Sequence, residues 1–130
     1  MRFICLGYFD EKKWEAMSKV EQDAAMEECL VYDDGLRKKG HWVDAGSALQ
    51  STRTARTLRW RDGKATVTDG PYAETREVLG GFAVLEARDM EQAVELLLKH
   101  PGVRMGPIEI RPADEQINEM IEDRWRKLGK

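Results

Sequence analysis

Val67-Thr68-Asp69-Gly70-Pro71-Tyr72-Ala73-Glu74-Thr75-Arg76-Glu77-Val78-Leu79-Gly80-Gly81-Phe82 is the stretch whose reading decides the fold. Apolar, strand-like residues enter it and leave it. Asp69-Gly70-Pro71 signals a tight turn, and Gly80-Gly81 marks a second point of flexibility or positive φ. A polar loop clamped between apolar strands is a common carrier of a binding or catalytic site. Its alternative role is a structural turn whose Asp and Glu satisfy their own backbone N–H groups.

Upstream, residues 57–61 and 64–68 are two strands separated by Asp62-Gly63, the strongest short-range hairpin signal. Leu58 and Trp60 share one face, as do Ala65 and Val67. Before them, 41–49 reads as a strand. Ser18 with Glu21 forms a capping box for a helix that carries Met26, Cys29, Leu30 and Leu36 at helical spacing and ends at Gly40. Residues 3–9 are nearly all apolar, as in a central strand buried on both faces, and 10–14 read as a loop or short turn. Downstream, 82–87 is a strand. Asp89 and Gln92 cap a helix with Met90, Ala93, Val94 and Leu97 inward, and Pro101 stops it. Residues 108–111 alternate as a last strand, and Ile117, Met120, Ile121, Trp125 and Leu128 stripe a final helix.

The fold class is therefore α+β, a ferredoxin-like βαββαβ arrangement with an extra β-hairpin and a C-terminal helix. Helices cover one face of such a sheet, so the other needs a cover, and a second subunit is the simplest one. The domain spans 1–112; 113–130 is an amphipathic helix expected to pack on that domain or on a dimer partner.

A chain of 130 residues fits one domain, and 42% hydrophobic with 35% charged residues makes it globular. A net charge of −3 argues against nucleic acid as the main partner. No apolar run reaches membrane-spanning length, and Met1 to Leu6 is too short for a signal-peptide core, so a cytoplasmic location is expected. Cys5 and Cys29 read as reduced, buried thiols. There is no zinc spacing, Gly-rich phosphate loop or nucleophile elbow, so no metal and no cofactor is expected.

Asp69, Gly70, Pro71, Tyr72, Ala73, Glu74, Thr75, Arg76 and Glu77, followed by Gly80-Gly81-Phe82, resemble the signature of the YciI-related "DGPF" family. Tyr72 stands where that signature has Phe and Arg76 where it has Lys. His100-Pro101-Gly102 and Glu109-Ile110-Arg111-Pro112 also match, so the resemblance covers about residues 1–112. It implies a dimeric α+β barrel in which two ferredoxin-like sheets pack face to face. Smaller relatives are proposed to use a His–Asp pair with the His on the first helix. This chain has no histidine there, and Asp44 is the residue that matches the Asp of their turn.

The candidate catalytic residues are Asp69, His41 and Asp44. Asp69 can orient a hydroxyl, act as a base or hold its own turn; His41 is a base if it faces a cleft and a junction histidine otherwise. Tyr72, Glu74, Glu109 and Arg111 are the candidate ligand contacts. His100, at a helix C-terminus, reads as structural, with imidazolium favoured by the dipole. Arg53, Arg56, Arg59 and Arg61 give the hairpin a positive edge, which suits an acidic partner or a solvated edge strand. The expected function is a homodimer with a small-molecule pocket near the Asp-Gly-Pro-Tyr loop. As an enzyme, it would move protons in an isomerisation or elimination on a small organic acid. The alternative is a non-catalytic regulatory or interaction module, which the resemblance links to sigma factors.

Overall fold

The structure is a computed structural model and describes residues 1–129, the side chain of Asp44 excepted. The element order is β1 Arg2–Asp10, α1 Glu11–Ala16, α2 Lys19–Lys38, β2 Trp42–Ala48, β3 Arg56–Arg61, β4 Lys64–Asp69, β5 Glu77–Glu86, α3 Met90–Leu98, β6 Ile108–Pro112 and α4 Glu115–Lys127. Four strands form one sheet in the order β2-β5-β1-β6, with every neighbouring pair antiparallel. This is the split arrangement that the element order predicts. Among the described residues, β3 and β4 pair only with each other, as a separate arm.

The chain's punctuation acts as its chemistry requires. Ser18 Oγ accepts from Glu21 N–H while the Glu21 carboxylate accepts from Ser18 N–H, closing the capping box of α2. Asp89 accepts from Gln92 N–H at the start of α3. Asp62 and Gly63 both have positive φ, 53° and 76°, the backbone of a type I′ hairpin turn. The turn sets the register Leu58↔Val67 and Trp60↔Ala65, which places these apolar residues on one face.

The core lies between the sheet and helices α2 and α3. Phe3, Cys5, Leu36, Leu85, Ala87, Ala93 and Leu97 are buried, with Phe3 and Leu85 fully so. Each large apolar side chain taken fully from water contributes about 1.5–3 kcal/mol before ordering costs. Phe3 and Leu85 face each other across β1 and β5, and Trp42 faces Leu85 from β2.

Four expectations change. β1 is buried on its helix-covered face only; Ile4, Leu6 and Tyr8, on the opposite face, are half-buried. The turn after Asp10 is a short helix, because Asp10 accepts from the N–H groups of Lys12 and Lys13 and so starts it. On α2, Met26 and Leu30 are exposed, and the inward face runs instead through Cys29, Tyr32, Asp33 and Leu36. Gly80 and Gly81 serve close approach rather than positive φ. A Cβ on Gly80 would lie 2.8 Å from the Phe9 ring, and one on Gly81 would lie 3.0 Å from the Ser47 carbonyl oxygen. Gly80 also occupies the irregularity opposite Gly7 and Tyr8, where β5 carries one extra residue.

Candidate functional site

A cavity of about 320 Å³ opens between the sheet and the helices. Its floor is strand backbone at Gly80, Gly81 and Ala48, which the two glycines keep bare of side chains. Phe9, Trp42, Leu97, Met105 and Ile108 give it apolar walls, and no Lys or Arg among the described residues lines it. The polar side chains on its wall include Asp33 and His100.

Three elements bring this pair together. Asp33 comes from the inward face of α2, Trp42 opens β2, and His100 lies just after α3. Gly102 N–H donates to His100 Nδ1 at 2.9 Å, so the imidazole caps the following 3₁₀ turn. That bond needs a lone pair on Nδ1, which leaves the proton on Nε2. Nε2–H then donates to Asp33 Oδ1 at 2.8 Å. Trp42 Nε1–H donates to the same Oδ1, also at 2.8 Å. Oδ2 makes no hydrogen bond to a described residue. The edge of Tyr32 meets the His100 ring, centroids 5.2 Å apart at 70°, and Tyr32 Oη donates to the Leu96 carbonyl. His100 is 11% and Asp33 25% exposed. The carboxylate is thus oriented by two donors on one oxygen and offers the other. Its charge is felt nearby: burial first and then Asp33 push the Cys29 thiol up.

His100 is therefore held through both ring nitrogens, by Gly102 N–H and by Asp33, rather than standing free at a helix end. This contact between an Asp on α2 and a His on the turn after α3 joins residues that the sequence does not single out as a pair.

The sequence-predicted residues lie elsewhere. The Asp69 side chain is 89% exposed and pairs with Arg56 Nε at 3.1 Å. Tyr72 is 79% exposed, and its carbonyl accepts from Arg59. Glu74 is exposed at a second cavity beside Pro71 and Arg76. His41 Nδ1 meets the Glu86 carbonyl at 2.8 Å and ties the start of β2 to the last residue of β5. Glu109 and Arg111 pair with each other on the sheet face away from the helices. Asp44 falls on a side chain outside the described residues. Among the described residues no three His, Cys, Asp or Glu side chains are placed to hold a metal ion, and no helix is long and apolar enough to cross a membrane.

The model of the YCII-related domain matches residues 1–115. The chain belongs to the YCII-related domain family. A protein of Rhizobium meliloti (strain 1021), described as uncharacterized, is 32% identical over 119 residues, covering 86% of this chain and 91% of the relative. Among solved structures, the 5-chloro-2-hydroxyhydroquinone dehydrochlorinase of Burkholderia phenoliruptrix, in complex with 2,5-dihydroxybenzoquinone, is similar with a TM-score of 0.49 and 14% identity. That similarity covers 88% of this chain and 94% of the dehydrochlorinase chain. In this YCII-related domain the signature glycines Gly80 and Gly81 belong to the cavity floor, while the acidic part of the signature is a solvent-facing turn.

Proposed function

We propose that the protein binds a small, neutral organic molecule in the cavity beside Asp33 and exchanges a proton with it. The observation that carries this is the Asp33 carboxylate, held by Trp42 and His100 on one oxygen and free on the other, in a cavity with no lining cation. A fixed carboxylate at hydrogen-bond distance from an acidic C–H or O–H is a general base. Taking a proton from a carbon next to a carbonyl would leave the electron pair on the carbonyl oxygen. Return of the proton to another carbon is isomerisation, and departure of a β-substituent is elimination. The apolar walls and the lone negative charge favour a neutral carbonyl or hydroxyl compound over a carboxylic acid, whose charge Asp33 would repel. In this reading a neutral compound takes the place of the small organic acid expected from the sequence.

The test is a thermal-shift screen of neutral carbonyl and hydroxyl compounds against the wild type and Asp33→Asn, which keeps the shape and removes the charge. Compounds that stabilise the wild type and turn over only there support the reading. Equal stabilisation and turnover in both proteins contradict it.

The working form in this reading is a homodimer. The helix-free sheet face carries Ile4, Leu6, Phe82 and Val84, an apolar surface that a second sheet covers well. Sedimentation equilibrium tests it: a dimer is expected, and a monomer throughout the micromolar range contradicts it.

A further inference from the structure

Two features are left without a role by the cavity: the β3–β4 arm and the groove under α4. The arm presents Leu58, Trp60 and Val67 on one face, 70%, 75% and 64% exposed. Its strands join no other strand. Its root is nevertheless fixed. The Glu11 carboxylate accepts from Ser51 Oγ, Thr52 N–H and Thr52 Oγ1, and Arg53 pairs with Glu15 at 3.0 Å. At the tip, Arg61 and Lys64 have no ion-pair partner among the described residues.

The groove is of mixed charge, with an excess of carboxylates. It lies between α4 and the start of β1, with a volume of about 610 Å³. Ile121 and Trp125 form its apolar side, and Glu86, Glu115, Glu119 and Glu122 line it beside Arg2, Arg126 and the N-terminus; Glu86 pairs with the N-terminus and Arg2, and Arg126 with Asp123. Glu115, Glu119 and Glu122 have no ion-pair partner among the described residues.

We propose that the arm of one copy lies in the α4 groove of a second copy, Trp60 against Ile121 and Trp125, with Arg61 and Lys64 facing Glu119 and Glu122. Apolar area meets apolar area, and Arg61 and Lys64 of the tip meet the carboxylates of the groove that have no ion-pair partner among the described residues. Among the described residues, none of the arm lines the groove of its own chain. The arm is rooted beside the last residue of β1, and the groove lies at its first. Eight steps along β1 at ~3.4 Å per residue separate the two by about 27 Å. A two-fold axis that stacks the helix-free sheet faces with strands reversed brings the root of each arm to the groove end of its partner. The two contacts are then equivalent, and the dimer closes. Two tryptophans bring about 150–250 Å² each to the contact. With the sheet faces they suit a standard interface of about 1,200–2,000 Å².

This inference rests on the homodimer proposed above, and a charge-reversal cycle separates the two. Dimer dissociation constants are measured by sedimentation for the full chain, for Glu119→Lys/Glu122→Lys, for Arg61→Glu/Lys64→Glu and for all four changes together. All four positions are exposed, so the fold is retained, as circular dichroism checks. Each double variant is expected to weaken the dimer about tenfold, because symmetry counts every pair twice, and the quadruple variant to recover to within about threefold. Trp60→Ser is expected to weaken it by at least about a hundredfold. A dimer indifferent to all of these changes overturns the arm contact and leaves the sheet-face dimer standing. A wild type that is monomeric throughout overturns both.

Discussion

Trp42→Phe is the most informative change to the cluster that holds Asp33. It removes the Nε1–H that donates to Asp33 Oδ1 at 2.8 Å and keeps an aromatic ring against the core. A hydrogen bond to a charged acceptor is worth about 1.5–3 kcal/mol. Asp33 is 25% exposed, so water can replace the lost donor, and the lower end applies. The missing part of the indole adds about 1 kcal/mol of lost packing. The total is about 2.5 kcal/mol. At about 2.1 cal/mol/K of unfolding entropy per residue, that corresponds to a fall in Tm of roughly 9 °C. The same change in an Asp33→Asn background loses only a neutral hydrogen bond, so its cost falls to about 1.5 kcal/mol. The coupling of about 1 kcal/mol is read from urea unfolding followed by far-UV circular dichroism, at fixed protein concentration because dimer dissociation is linked to unfolding. Equal costs in the two backgrounds, to within about 0.3 kcal/mol, would show that Trp42 does not act on the Asp33 charge.

Leu85 is fully buried opposite Phe3, so Leu85→Ala should cost about 2–5 kcal/mol in the same unfolding assay, whereas a cost below ~1 kcal/mol would mean the core is not centred there. Burial pushes the Cys5 thiol up to about 12, so a thiol reagent at pH 8 should label it only after unfolding; labelling in the native protein as fast as at Cys29 would contradict this. The carboxyls of Asp10, Glu11, Glu21 and Asp89 are held below their ordinary values, in each case first by a backbone N–H, from Lys13, Thr52, Ser18 and Gln92 respectively. Their folded values are depressed, so their stabilisation is complete above the ordinary carboxylate range and is lost as pH falls through the folded values. Glu11→Gln should therefore lower stability at pH 7 and have progressively less effect as the solution is acidified; an effect that grows in acid would reverse the sign.

Local chemistry made most of the frame legible in the sequence. Ser18 with Glu21, Asp89 with Gln92, and Asp62 with Gly63 each act within four residues, and each sits where it was read. α1 was not legible by periodicity because six residues are under two turns; its signal was Asp10 as a cap. The site was harder to read. Asp33, Trp42 and His100 meet only when α2, β2 and the turn after α3 pack together, and no local spacing encodes that. One sign was available: Asp33 shares a helix face with Cys29 and Leu36, and a carboxylate on an inward face needs partners. The acidic loop, in contrast, drew attention through its polarity, yet Asp69 pairs with its own hairpin and Tyr72 points its ring at water. Composition marks a loop as polar but does not say which way it faces.

The central claim is that ligands bind beside Asp33, and the indole signal of Trp42 reports on it directly. The protein has four tryptophans, so the indole region of a ¹H–¹⁵N correlation spectrum is simple to assign. Titration with the neutral carbonyl and hydroxyl compounds that stabilise the protein should move the Trp42 Nε1–H resonance, with the His100 ring signals following, and should leave Trp14 and Trp125 in place. Shifts at Trp14 or Trp125 with Trp42 unmoved would place the binding site elsewhere and contradict the account.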